Sequence, residues 1–328
     1  MARKYHRRRR TPRRDRSTPE GEHLPVLLAE VLDVLKPQPG QTILDGTLGF
    51  AGHSTEVLKL LGPTGLLIAT DLDPDQLPRA RANLEELGLP FHVAHSNFAG
   101  LQHVLAQAGV ERVDGVLADL GMSSMQVDDA DRGFSFMRDG PLDMRMDRTR
   151  GTTAAELLAT MTAEELTAAF TELGDEPQAA EIAEAIVEQR ETTPLLRTTE
   201  LRALIEAAAP VTPMLGPGYG PVRKQIMLPT TRVFQALRMM VNRELANLQQ
   251  LLRVLPGVLK PGGTAAIISF HSGEDRLVKA AFRDGLRAGI YFAASEKAIR
   301  PSEQEKLGNP RARSAKLRWA TLTSEPEP

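Results

Sequence analysis

The chain has 328 residues, of which 41% are hydrophobic and 25% charged, with a formal net charge of −2. These are the proportions of a globular protein able to bury a core, and the length suits about two domains of roughly 100–200 residues each. The complete absence of cysteine excludes disulfides, thiolate nucleophiles and cysteine-ligated metals, and no apolar run approaches the ~18 residues needed to span a bilayer.

The charge is unevenly spread. Residues 1–20 carry nine Lys/Arg against Asp15 and Glu20, leaving 31 basic and 40 acidic residues in the remainder. This predicts a disordered basic tail over 1–20, seeking nucleic acid, on an acidic enzyme. Glu30 and Asp33 interrupt the apolar stretch from Leu24 to Leu35, so the basic start is not followed by a signal-peptide core, and a cytoplasmic protein is expected.

Val26 to Leu35 reads as a leading helix, stopped by Lys36-Pro37-Gln38-Pro39-Gly40. Thr42-Ile43-Leu44-Asp45 follows as a short buried strand, and Gly46 to His53 as a glycine-rich turn. Val57, Leu58, Leu60 and Leu61 mark a helix, which Gly62-Pro63-Thr64-Gly65 ends. The second strand, Leu66 to Thr70, delivers Asp71. This βαβ unit places an acidic residue where it can bind a ribose diol. A dinucleotide would bring a pyrophosphate to the helix N-terminus. Asp45 at the mouth of the loop repels phosphate but suits a cation, which favours S-adenosylmethionine over a nicotinamide dinucleotide.

Asp75 to Leu87 reads as a further helix and Phe91 to His95 as a third strand. Leu101 to Ala108 is the next helix, and Val113 to Leu120 a fourth strand with Asp119 near its end. Strands alternating with helices predict a mostly parallel sheet with helices on both faces. From about 126 to 232 the periodicity is helical, with a capping box at Thr162-x-x-Glu165, and Pro210 to Pro229 reads as a long loop. Phe234 to Leu255 then predicts one long amphipathic helix. Leu259 to Gly263 reads as a turn before a strand from Thr264 to Phe270. Ser272 caps a following helix, and Lys316 to Thr323 closes the sheet.

The expected organisation is therefore a basic tail (1–20), an α/β Rossmann-like core (21–125 with 233–328) and an all-helical insertion over its substrate side (126–232). Asp71 and Asp119 both stand at strand ends, where ligands bind open α/β sheets. The Pro261-Gly262-Gly263 turn resembles that of class I S-adenosylmethionine-dependent methyltransferases. With no thiolate to attack C6, pyrimidine C5 methylation by the usual route is excluded. The target of a base methyltransferase is then expected to be an exocyclic amine or another directly nucleophilic atom.

The segment Asp119-Leu120-Gly121-Met122-Ser123-Ser124-Met125-Gln126, with Arg132-Gly133-Phe134-Ser135-Phe136 and Gly140 to Asp147, narrows the class. So do Asp45-Gly46-Thr47, Gly52-His53-Ser54, Thr231-Arg232-x-Phe234-Gln235-Ala236, Ile268-Ser269-Phe270-His271-Ser272 and Asn309 to Ser314. From about His23 to Arg318 the chain closely resembles the bacterial 16S ribosomal RNA cytosine-N4 methyltransferases, the MraW/RsmH family. The resemblance implies methyl transfer from S-adenosylmethionine to the N4 amine of a cytidine in 16S rRNA of the small ribosomal subunit. No clustered His/Asp/Glu spacing suggests a metal site, so no metal is expected. It implies a cofactor pocket lined by Ala51, Gly52, His53, Asp71, Phe98, Asp119 and Gln126. The base must be flipped or unpaired to reach the methyl group.

Asp119 is the candidate catalytic residue, as an acceptor for the amine N–H. Phe134, Phe136 and Phe270 are candidates to stack on the base. Arg132, Arg145, Arg148, Arg232, Arg311, Arg313 and Lys316 are candidate phosphate contacts, with Arg311 and Arg313 preferred. Arg145, between Asp143 and Asp147, reads instead as a salt bridge. Ala51 stands where the family commonly has glycine.

Overall fold

The computed structural model describes residues 25–210 and 228–324; the basic tail, and most of the loop expected between Pro210 and Pro229, lie outside the described residues. Among the described residues one sheet contains β1 (Thr42–Asp45), β2 (Leu66–Asp71), β3 (Phe91–His95), β4 (Val113–Asp119), β5 (Leu259–Ser269), β6 (Tyr291–Ala294) and β7 (Lys316–Leu322). Their order is β3-β2-β1-β4-β5-β7-β6. The first five pair in parallel, and β7 runs antiparallel between β5 and β6. This is the Rossmann-like class I arrangement. The strand order reverses between β1 and β4, so their carboxyl ends and that of β2 open onto one crevice.

Near-continuous apolar strands are what a doubly covered parallel sheet requires. Successive residues alternate between faces. Leu44, Ile68, Val116 and Ile267 pack with the helices Leu101–Gln107, Glu244–Val258 and Ser272–Arg287. Ile43, Leu67 and Ala69 face the helices Gly52–Leu61 and Leu77–Glu85. Leu117, Ala266 and Ile268 pack under the leading helix, Leu28–Leu35. Each fully buried Leu or Ile contributes about 1.5–3 kcal/mol, so the strand ends are held by a rigid scaffold.

The helices Ala154–Thr160, Ala163–Gly174, Ala179–Thr192, Thr198–Ala208 and Pro229–Val241 share a separate core containing Leu158, Leu166, Phe170, Ile182, Ile186, Leu201 and Ile205. The capping box at Thr162 and Glu165 is present. The expected boundary at 232/233 falls inside the helix Pro229–Val241, whose buried Val233, Phe234, Ala236 and Leu237 all belong to this helical core.

Three further expectations are corrected. The helix predicted from Phe234 to Leu255 is two helices, broken where Arg243 takes a left-handed φ of 51°. Its apolar repeat continues across the break, but Asn242 is drawn out of it by tertiary bonds. The Asn242 side chain donates to Met144 O (2.8 Å) and accepts from Met146 N (2.7 Å). Leu259 to Gly263 is not a turn before β5 but its irregular first half, and the pairing with β4 jumps from Leu259 to Thr264. The helix start at Ser272 is capped by His271, with Glu274 completing the box. The short strand β6 was not foreseen.

Candidate cofactor and substrate site

The crevice at the ends of β1, β2 and β4 deepens into a cavity lined by the Gly46–Gly49 loop, His53, Asp71, Phe98 and Asp119 on one side, and by Asn242, Glu244, Asn247, Phe270 and Glu274 on the other. Two glycines shape its floor. A Cβ on Gly46 would lie 3.0 Å from Phe98 Cβ, and Gly49 holds a φ of +51° that most side chains resist. The loop can thus run close under a flat ligand.

Asp45 does not line this cavity. It is 2% exposed, and its carboxylate turns into its own loop, accepting from Ser54 Oγ (2.7 Å), Thr47 N (3.0 Å) and Thr47 Oγ1 (3.3 Å). Burial pushes its pKa up, against those hydrogen bonds. The expectation that Asp45 meets a cationic ligand directly is corrected: the nearest donors in a tight turn are the turn's own. Thr47 also joins the two strand ends, because its hydroxyl accepts from Asp119 N at 2.7 Å.

Asp71 stands at the end of β2 with both oxygens oriented by backbone. Oδ2 accepts from Gly49 N (2.7 Å) and Oδ1 from Asp73 N (2.8 Å). Burial raises its pKa to about 6, reinforced by the negative charges of Asp73 and Asp45 and opposed by the two backbone donors. Each oxygen keeps a second lone pair for a ligand hydroxyl.

Beneath it lies a buried polar knot centred on Asp73, which is wholly inaccessible. Its Oδ2 accepts from Gln76 Nε2 (2.9 Å), Gln126 Nε2 (2.7 Å) and Arg132 Nη1 (2.8 Å). The Arg132 Nη2 donates onward to the carbonyls of Arg145 (3.1 Å) and Met146 (2.9 Å). Arg132 is therefore not a phosphate contact: at 4% exposure it is a structural cation. Replacing it with methionine strands the Asp73 charge. An Arg132→Met protein should lose about 3–5 kcal/mol of unfolding free energy, read by chemical denaturation; a loss under about 1 kcal/mol is what an exposed pair would give.

Asp119 ends β4. Its Oδ1 is buried and without a hydrogen-bond partner, while Oδ2 lies 3.9 Å from His53 Nδ1. The pKa is raised to about 6, chiefly by burial and further by Asp45 and Glu274, with His53 and the Gly121 backbone N–H pulling it back. His53 Nε2 sits 2.9 Å from Val26 O. Facing a carbonyl, that nitrogen carries a hydrogen, which fixes the ring and turns Nδ1 toward Asp119.

Of the expected pocket residues, Gly52, His53, Asp71, Phe98, Asp119 and Gln126 line the cavity. Ala51 does not; it is fully buried at a φ of 66°, the left-handed conformation that glycine adopts at least cost. Gln126 presents no free amide group, because its Oε1 accepts from Ser123 N (3.0 Å) and its Nε2 is held by Asp73. Among the three stacking candidates only Phe270 lines the cavity. Phe136 packs edge-on to Phe234, and Phe134 belongs to the helical core.

The cations divide similarly. Arg145 is paired with Asp143 (2.7 Å), Arg232 with Glu176 (3.5 Å) and Lys316 with Asp275 (2.9 Å). Arg311 lines the cavity and pairs with Asp128 at 3.2 Å.

The sequence alone assigned no role to Thr47, Asp73, Gln76, Asn242, Glu244 and Glu274. The Asp45-Gly46-Thr47 motif and the Asp-x-Asp spacing of Asp71 and Asp73 offered a signal for two of them. Glu244, His271 and Glu274 bring possible metal-ligand atoms within 4.8 Å of one another. Glu244, however, is already gripped by Arg238 (2.8 and 2.9 Å), and Glu274 Oε2 accepts from Phe270 N (2.9 Å). The fold's own donors account for these carboxylates.

A sequence model of the MraW methylase family matches residues 20–323. The chain is 45% identical over 308 residues to the "Ribosomal RNA small subunit methyltransferase H 1" of Lachnoclostridium phytofermentans, a match covering 93% of this chain and 82% of that protein. It is 43% identical over 312 residues to the "Ribosomal RNA small subunit methyltransferase H" of Syntrophotalea carbinolica, covering 90% of this chain and 96% of that one. With the class I strand order and the Asp71 and Asp119 strand ends in one cavity, this extent of likeness makes the chain a member of the MraW methylase family.

Proposed function

We propose that the protein transfers a methyl group from S-adenosylmethionine to the exocyclic N4 amine of a cytidine in 16S rRNA of the small ribosomal subunit. The observation that carries this reading is the buried, unpartnered Asp119 Oδ1 in the same cavity as Asp71. The pocket suits the cofactor. It offers carboxylate acceptors for a ribose, an aromatic wall in Phe98 and negative charge for a cationic donor. That negative charge comes from Asp71 and Asp119 rather than from Asp45.

Bound there, S-adenosylmethionine supplies an electrophilic methyl on a sulfonium. The chain supplies orientation and an acceptor. Cytosine N4 is a poor nucleophile while its lone pair is delocalised into the ring. Asp119 Oδ1 accepts one N–H, favouring a lone pair turned toward the methyl, and stabilises positive charge as the N–C bond forms. The N4 proton leaves to that oxygen, whose pKa near 6 lets it release the proton to solvent near neutrality. Positioning supplies most of the remaining rate. Phe270 stacks on the base, and the helices Ala154–Thr160, Ala163–Gly174, Ala179–Thr192, Thr198–Ala208 and Pro229–Val241 cover the RNA side.

No helix among the described residues is long and apolar enough to cross a membrane. A cytoplasmic protein acting on ribosomal particles fits this reading, with the basic tail adding affinity for RNA. The decisive test is mass spectrometry of rRNA nucleosides from cells with and without the gene. N4-methylated cytidine should disappear from small-subunit RNA in the deletion and return on complementation; an unchanged nucleoside profile would reject the proposal.

A further inference from the structure

We infer that Gln76 is a further cofactor-binding residue, its Oε1 accepting a hydrogen bond from a ribose hydroxyl of the methyl donor beside Asp71. This deepens the S-adenosylmethionine reading of the cavity and rests on it. Gln76 is 6% exposed yet lines the cavity, and its Oε1 is buried with no hydrogen-bond partner. A buried carbonyl oxygen left unpaired is unfavourable, so an acceptor of this kind on a residue that lines a cavity marks a place for a ligand donor.

The orientation of the amide follows from chemistry. Gln76 Nε2 lies 2.9 Å from Asp73 Oδ2, and that oxygen also receives Gln126 Nε2 and Arg132 Nη1. An ionised carboxylate only accepts, so the NH2 end must face Asp73 and the carbonyl end must face away. Gln126 offers the contrast: it uses the same Asp73 oxygen, but Ser123 N occupies its Oε1. Of the two glutamines, only Gln76 keeps an acceptor in reserve.

Its position points to the ribose. A Cβ built on Gly49 would lie 4.0 Å from Gln76 Oε1, and Gly49 N donates to Asp71 Oδ2 at 2.7 Å. Two acceptors, one charged and one neutral, therefore flank the same stretch of glycine loop. A vicinal diol presents two donors at adjacent carbons and matches such a pair. Asp73 thus has a function at a distance, since its carboxylate aims the amide that meets the ligand.

The test is calorimetric titration of S-adenosylhomocysteine and its 2′-deoxy and 3′-deoxy analogues into the wild-type protein, Gln76→Leu and Gln76→Met. In the wild type, deleting the hydroxyl that meets Gln76 should weaken binding about tenfold, and in both variants the same deletion should cost less than about twofold. The other hydroxyl, held by Asp71, should matter equally in all three. Comparing ligands within each protein removes any general loss of affinity, and methionine provides a flexible filler should leucine unfold the knot. Identical penalties for both hydroxyls in all proteins would overturn the inference. Failure of the wild type to bind S-adenosylhomocysteine at all would instead overturn the cofactor reading beneath it.

Discussion

Asp119→Asn should lower methyl transfer to small-subunit particles by about 10²–10³-fold at saturating cofactor while changing affinity for S-adenosylhomocysteine less than about threefold. Asparagine keeps the shape and a carbonyl acceptor but loses the charge that opposes positive nitrogen, and it cannot take the departing proton. The pH profile gives the sharper readout. Burial lifts the wild-type carboxyl to about 6, so the group is protonated below that pH and an acceptor above it. The wild-type rate should therefore rise about tenfold per pH unit below 6 and level off above it. The asparagine protein should lack that limb. Asp71 also titrates near 6, but it acts on binding, and saturating cofactor isolates the Asp119 step. A variant with wild-type rate and an unchanged acid limb would remove Asp119 from the chemistry.

Asp71→Ala should abolish measurable cofactor binding. A hydrogen bond from a ribose hydroxyl to a charged acceptor is worth about 1.5–3 kcal/mol, or roughly 10–10²-fold in affinity. The alanine protein loses more than that bond, because Gly49 N and Asp73 N both donate to this carboxylate and the loop loses its anchor. Asp71→Asn should be almost as damaging. Its amide NH2 must confront one of those two backbone donors whichever way it turns. In the wild type the carboxylate must be ionised to accept from loop and ligand together, so affinity should fall as pH drops through about 6 and hold steady above it. Titration calorimetry reads both predictions, and an Asp71→Ala protein with unchanged affinity would sink the ribose assignment.

Asp71 and Asp119 both stand at places legible in the sequence. Alternation of apolar strands and helices located β1 to β4 nearly residue for residue, because strand and helix periods are local properties of the chain. Strand ends of a parallel sheet converge at the switch point, so Asp71 and Asp119 could be assigned to one crevice before any contact was known. The MraW resemblance then supplied the chemistry.

Other features depended on partners far away in sequence. Nothing local distinguishes Arg132, buried on Asp73, from Arg311 at the cavity wall. The helix break at Asn242–Arg243 lies inside an unbroken apolar repeat, and it arises because Asn242 satisfies the backbone of Met144 and Met146, nearly 100 residues earlier. Asp45 reads from sequence as a ligand carboxylate, but Ser54 and Thr47 of its own loop occupy it. The order of the first four strands and their helices, the fold class, the family and the two strand-end carboxylates were legible along the chain. Only the folded arrangement shows which polar atoms are consumed internally and which, like Asp119 Oδ1 and Gln76 Oε1, are left without a hydrogen-bond partner. The physical reason is that apolar burial repeats with a period readable along the chain, whereas each hydrogen-bonding atom has a small, directional capacity that distant residues fill.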